Sequence, residues 1–393
     1  MDPVRNPYAP GAGSPPPELA GRIELLETGL TALRRVAQHR PTQSLIMVGL
    51  RGVGKTVLLN KFHDQAEHEG FRVALMEAHE GKSLPELLVP HLRTILFRLS
   101  AIESAKDKAR RGLRALRGLL NGLKLKVPGI DFELTIEAEA GLADSGDIEA
   151  DLPDLLVVIG EAARDAGRPV ALLLDELQYL AEQEFSALIM AIHRVNQRQL
   201  PVILIGAGLP QIRGLAGNSK SYAERLFTFP DIGALGDADA IRAIVYPARA
   251  EGVEFEKSAI DKILQVTERY PYFLQQWAHE AWNASPSEKI TEAVVDEATT
   301  LAIRVLDQGF FKVRFDRCTP SERKYMRALA QFGRGKHRSG DIAEHLGVKV
   351  QSVAPTRSAL IKKGMIYSPS HGDTSFTVPL FEQFMVRAIP KFP

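Results

Sequence analysis

Residues 44–56 read SLIMVGLRGVGKT, and the break inside this stretch decides the fold. Residues 45–48 are a short apolar run stopped by glycine, which suits a strand buried on both faces of a parallel sheet. The pattern Gly49-x-x-x-x-Gly54-Lys55-Thr56 follows at once. Gly49, Gly52 and Gly54 let the backbone turn its N–H groups inward, and a helix starting near Lys55 aims the positive end of its dipole at the same place. Such a loop suits a phosphate chain. Its nucleotide-binding candidates are Gly49, Leu50, Arg51, Gly52, Val53, Gly54, Lys55, Thr56 and Val57, with Lys55 set to neutralise the β and γ phosphates and the Thr56 hydroxyl to bind Mg2+. The plainer reading is a glycine-rich strand-to-helix turn with an incidental lysine. The apolar strand before the loop and the helical pattern after it favour the phosphate.

Working outward, residues 170–174 (VALLL) form another continuous apolar strand, which delivers Asp175-Glu176 at its carboxyl end. In open α/β sheets ligands bind beyond the carboxyl ends of the strands, so a carboxylate pair there can serve a nucleotide's metal and the attacking water. Asp175 is the candidate for holding Mg2+ through water, and Glu176 for orienting or deprotonating the nucleophilic water. By itself the pair could equally cap the next helix. Residues 201–206 (PVILIG) are a further buried strand, ending in Gly206-Ala207-Gly208. This is no dinucleotide fingerprint, because the third glycine position holds Gln211 and Pro210 stands beside it. Residues 226–229 read as a short fifth strand. Arg225, just before it, is the candidate for completing a γ-phosphate site from a neighbouring subunit or by domain closure; the alternative is a structural or solvated arginine.

At 393 residues the chain has length for two or three domains, and its composition is that of an ordinary globular protein. The single cysteine, Cys318, excludes an internal disulfide framework. No apolar run approaches a membrane span and no signal-peptide core is present, so a soluble, cytoplasmic protein with no membrane partner is expected. Residues 1–17, rich in proline with little to bury, are expected as a disordered or extended tail. Residues 18–236 read as an α/β core with a parallel sheet sandwiched by helices, interrupted by a charged insertion at 101–150. The insertion opens with a basic amphipathic helix through Leu113, Leu116 and Leu120, then reads as a β-hairpin turning at Pro128-Gly129. Its charges either complement one another or meet a nucleic acid or protein partner. Residues 237–318 read as a helical lid, with Pro271 in the first turn of one helix.

Residues 319–393 read as three helices and a hairpin around His371-Gly372-Asp373, the order of a winged helix-turn-helix. This segment holds twelve lysines and arginines against five acidic residues, a local charge of +7, while the remainder carries −6. The asymmetry favours double-stranded DNA as partner. Arg334, Lys336 and Arg338 in one loop, and Arg357, Lys362 and Lys363 on the third helix, are the DNA-binding candidates. Packing or protein contact is the other reading.

With loop, carboxylate pair, helical lid and winged helix in this order, residues 19–390 resemble P-loop ATPases of the AAA+ and STAND groups, especially bacterial and archaeal proteins similar to origin-recognition ATPases. Residues 49–56 match the Walker A motif and 170–176 the Walker B. The resemblance implies an Mg2+-dependent ATPase, with ATP and ADP as ligands and a homo-oligomer or protein partner within reach. It also implies that Gly21-Arg22-Ile23-Glu24 lies near adenine, which brings in Arg22, and that Pro271 packs against the nucleotide. Two features depart from the pattern. The fourth strand ends in Gly206-Ala207-Gly208 where these families place a polar sensor, and the lid offers Tyr272 and Phe273 where an arginine is common. Both favour a slow nucleotide-gated switch over rapid, ring-coupled hydrolysis.

Overall fold

The computed structural model describes residues 1–11, 13–125, 127 and 137–391. The chain divides into two compact units, one of Glu24–Val48 and Leu58–Asp231, the other of Met1–Ile23, Gly49–Val57 and Ile232–Pro393. The glycine-rich loop thus groups with the lid and C-terminal segments rather than with the sheet, a division different from the linear one read in the sequence.

The first unit is built on five parallel strands: β1 (Ser44–Val48), β2 (Arg72–Glu77), β3 (Val170–Asp175), β4 (Val202–Gly208) and β5 (Phe227–Thr228), in the order β2-β3-β4-β1-β5. The three continuous apolar runs β1, β3 and β4 are buried at every residue, whereas the edge strands β2 and β5 are partly open. This is what burial on both faces of a parallel sheet requires. Helices α1 (Ile23–Ala37), α2 (Lys55–His68), α3 (Leu84–Ser100), α4 (Lys106–Gly122), α5 (Ile148–Asp165), α6 (Glu182–Gln197), α7 (Ile212–Ser219) and α8 (Ala223–Leu226) connect them. Alternate strand residues such as Ile46, Ala74, Leu172 and Leu204 join one core with α3 to α6.

The basic helix of the insertion is α4. Its leucine stripe, Leu113, Leu116 and Leu120, is buried in that core, and its cations meet acids: Lys108 pairs with Asp165 at 2.6 Å, and Arg111 and Arg114 both reach Glu139. The hairpin expected at 123–138 falls largely outside the described residues. The chain rejoins the core through a loop in which the buried Asp151 carboxylate accepts from the Ser145 and Gly146 amides and the Ser145 hydroxyl.

In the second unit, α9 (Asp237–Ala250), α10 (Lys257–Thr267), α11 (Pro271–Ala284) and α12 (Glu292–Leu306) form a helical group with a two-stranded ladder, β6 (Glu254–Phe255) and β7 (Lys289–Ile290). A π-helical turn at Asp307–Phe311 leads into α13 (Lys312–Asp316). The C-terminal elements follow: α14 (Pro320–Gln331), opened by a Thr319/Glu322 capping box, β8 (His337–Arg338), α15 (Ser339–His345), α16 (Val350–Lys362), β9 (Ile366–Tyr367), β10 (Asp373–Phe376) and α17 (Phe381–Ala388). The expected hairpin is present as β9 and β10, and β8 adds to it in the antiparallel order β8-β10-β9. Burial pushes the Cys318 thiol up to about 11, with the nearby Glu322 carboxylate adding to the effect, so this thiol stays protonated at neutral pH.

The proline-rich N-terminal segment corrects the expectation of a tail with little to bury. Tyr8 is 3% exposed; its hydroxyl donates to the Ile244 carbonyl, and its ring meets Phe255 edge-on. The Asn6 side chain donates to the His279 carbonyl, and the Trp282 indole N–H to the Asp2 carbonyl at 3.0 Å. The six prolines among residues 1–17 lower the entropy cost of ordering this segment. Tyr8→Ala should therefore lower stability by about 3 kcal/mol, as for other buried aromatics. A thermal melt unchanged from wild type would return the segment to the status of a tail.

Candidate functional site

The loop after β1 adopts the backbone its glycines allow. Gly52 and Gly54 have φ of +81° and +92°, where L side chains are strained. A Cβ on Gly49 would stand 2.1 Å from the Ile232 carbonyl oxygen, so glycine is required there for close approach. Lys55 opens α2 and is 7% exposed; its ammonium donates to the Gly49 carbonyl at 2.9 Å and the Leu50 carbonyl at 2.8 Å. A concave backbone with a buried ammonium held over it matches the chemistry of a phosphate chain. Thr56, next on the helix, is exposed.

Two other segments of the same unit hold this loop through backbone atoms. The Tyr272 amide, one residue past Pro271 in the first turn of α11, donates to the Gly52 carbonyl at 3.1 Å; the Arg51 amide donates to the Thr377 carbonyl, just after β10, at 3.0 Å. Sequence reading missed both contacts, because a backbone atom carries no residue signature. Arg22 donates to the Gly233 carbonyl at 2.5 Å and more weakly to Val53 at 3.5 Å; burial lowers its pKa, opposed by Asp239. It is thus a strut for the loop region. From Tyr272 an aromatic series runs to the C-terminal elements. Tyr272 stacks on Phe310 at 4.8 Å, Phe310 meets Phe311, and Phe311 meets Phe381 and Phe384 of α17.

Within the sheet unit, Asp175 ends β3 and is buried, its Oδ1 accepting from the Glu176 amide at 2.8 Å. Glu176 takes a left-handed conformation, φ 54° and ψ 40°, and opens a 3-10 turn over Leu177–Tyr179. One of its carboxylate oxygens accepts from the Gln178 side-chain amide. The glycines at the end of β4 have a steric reason. A Cβ on Gly206 would lie 2.5 Å from Leu177 Cδ1, and one on Gly208 2.7 Å from Ile212 Cγ1 and 3.1 Å from Gln178 Oε1. Arg225 lies in α8 with an exposed side chain, while its carbonyl accepts from Gln43.

The six C-terminal cations divide. Arg357 donates to Thr374 Oγ1, Ser368 Oγ and the Asp373 carbonyl, tying α16 to the hairpin; Lys363 binds the buried Glu322 carboxylate at 2.7 Å and the Arg317 carbonyl. Both are corrected from DNA candidates to internal fasteners, since their polar groups are used within the fold. Arg334 pairs with Glu268 and Glu382, and Lys336 with Asp373 at 3.5 Å. Arg338 and Lys362 are exposed.

The parallel sheet in the order β2-β3-β4-β1-β5, with a phosphate-type loop after β1 and an acidic pair ending β3, defines a P-loop ATPase. Residues 18–205 match an AAA ATPase domain, and the chain carries a P-loop ATPase domain of that type. Residues 308–385 match a domain of unknown function, DUF8462. No curated protein matches the chain in sequence. Among solved structures, the Walker-type ATPase paby2304 of Pyrococcus abyssi is similar in fold, with a TM-score of 0.53 at 15% identity over 91% of this chain and 95% of that one. The Aeropyrum pernix ORC1 protein, solved in complex with DNA, gives a TM-score of 0.47 at 14% identity over 95% and 94%. A Thermotoga maritima RuvB variant gives 0.45 at 13% identity over 91% and 93%. Among the described residues no helix is long and apolar enough to cross a membrane.

Proposed function

We propose that this protein is an Mg2+-dependent ATPase whose nucleotide state is transmitted to the helical lid, residues 237–318, and to a C-terminal winged helix, residues 319–393, that acts on double-stranded DNA. The observation that carries the reading is the pair of backbone hydrogen bonds on the phosphate loop, from Tyr272 to Gly52 and from Arg51 to Thr377. A loop that shifts on binding phosphate must alter both. In this reading residues 49–57 cradle the phosphates, Lys55 neutralises them, and Arg22 and Pro271 shape the surroundings of the loop. The Thr56 hydroxyl and Asp175 carboxylate are hard oxygen donors that suit Mg2+, which when bound supplies charge stabilisation to the phosphates. Glu176 orients or deprotonates the water, and Arg225 acts from a neighbouring subunit in a homo-oligomer. Catalysis of this kind is chiefly positional and electrostatic.

DNA as partner is supported by the +7 charge of residues 319–393 and by the exposure of Arg338 and Lys362. A second reading, a STAND-like slow switch whose winged helix contacts protein, is supported by the open face of α16. Val350, Gln351, Ser352, Ala354, Pro355 and Ser358 are exposed there, and Arg357 is turned inward. The salt dependence of duplex binding by the full chain separates the two. The DNA reading expects an Arg338→Glu, Lys362→Glu double variant to weaken binding to any duplex sequence and to reduce the slope of log K against log salt by about two. Absence of duplex binding at low salt would favour the protein-contact reading.

A further inference from the structure

We infer that Gln178 is a positioning residue for hydrolysis, fixing the Glu176 carboxylate and tying it to the end of β4. The inference rests on the proposed role of Glu176. Gln178 lies two residues past the Asp175-Glu176 pair, inside the 3-10 turn that the left-handed backbone of Glu176 begins. Its side chain spans two elements. Nε2 donates to Glu176 Oε2, and Oε1 accepts the Leu209 amide, immediately after β4, at 3.0 Å. The orientation of the Gln178 amide is fixed by chemistry, because a backbone N–H can only donate and an ionised carboxylate can only accept. The carbonyl oxygen must face Leu209 and the NH2 must face Glu176.

The arrangement accounts for Gly206-Ala207-Gly208. Leu177 occupies the space that a side chain at Gly206 would need, and Ile212 with Gln178 the space at Gly208. β4 therefore carries no polar side chain at its tip; its polar contribution is the Leu209 amide, relayed through Gln178 to Glu176. One carboxylate oxygen of Glu176 accepts from Gln178, a contact that restrains the side chain.

The test is steady-state ATP hydrolysis by the full chain, with ATP affinity measured separately by its effect on the melting temperature, so that a loss in kcat is separated from a loss in binding. Gln178→Met keeps the side-chain length and removes both hydrogen bonds. We expect kcat to fall roughly tenfold. ATP affinity should stay within about twofold. Gln178→Glu keeps the acceptor for Leu209 and replaces the donor to Glu176 with a second carboxylate; its kcat should fall at least as far, again with ATP affinity little changed. A wild-type kcat in either variant, or a loss of ATP affinity as large as the loss in kcat, with Glu176→Gln inactive, would overturn the positioning role alone. Normal turnover by Glu176→Gln would overturn the reading of Glu176, and this inference with it.

Discussion

Lys55→Ala should abolish the rise in melting temperature that Mg-ATP gives the wild-type protein, together with turnover, while leaving the unliganded protein folded. Lys55 is 7% exposed, and its ammonium donates to the Gly49 and Leu50 carbonyls. A buried cation over a glycine loop is costly unless an anion or a set of carbonyls compensates it. Truncation removes that cost along with the hydrogen bonds, so little net change in unliganded stability follows. Bound phosphate is different, because its charge is then desolvated with no ammonium to meet it. At a ligand concentration of 100 Kd the wild type gains about 2.7 kcal/mol of stability, and the variant should gain almost none. Hydrolysis should fall by roughly a hundredfold or more. Thermal melts with and without Mg-ATP check the first expectation; an ATP-dependent rise that survives in Lys55→Ala would remove residues 49–57 from the nucleotide site.

Glu176→Gln should separate binding from chemistry. The substitution preserves shape and removes the charge, so the stabilisation by Mg-ATP should persist while turnover drops by roughly 10²–10⁴-fold, the usual worth of a positioned general base. The Gln178 amide, which donates to Glu176 in the wild type, still finds an acceptor in the new side-chain carbonyl, so misfolding does not offer a competing account. A variant that hydrolyses ATP at the wild-type rate would place the water-activating group elsewhere. Single-turnover experiments strengthen the comparison, since they report the chemical step without product release.

The sheet and the phosphate loop were legible because both depend on local pattern. Strands buried on two faces must be continuously apolar, as residues 45–48 and 170–174 are, and a backbone at φ of +81° and +92° calls for glycine, as at Gly52 and Gly54. What escaped the sequence depends on distant partners. Residues 1–17 looked like a tail with little to bury, whereas Ile244 and Phe255, more than two hundred residues away, supply the surroundings of Tyr8. Arg357 and Lys363 looked like nucleic-acid ligands because charge patterning counts cations without showing where they point; Thr374 and Glu322 take them inward. Gly206 and Gly208 looked like a missing sensor, and their smallness leaves room for Leu177, Ile212 and Gln178. In each case the residue type was visible and the partner was not.

The hydrogen bond from the Arg51 amide to the Thr377 carbonyl carries a consequence for the chain during its synthesis. The loop leaves the ribosome more than three hundred residues ahead of the segment that supports it. At roughly 5–20 residues per second that interval is on the order of tens of seconds, during which the sheet strands can pair but the loop lacks one of its struts. Nucleotide affinity should therefore mature late, when nearly the whole polypeptide is out. A stalled or truncated product ending before Thr377 would carry a complete Walker A sequence with an incompletely braced loop.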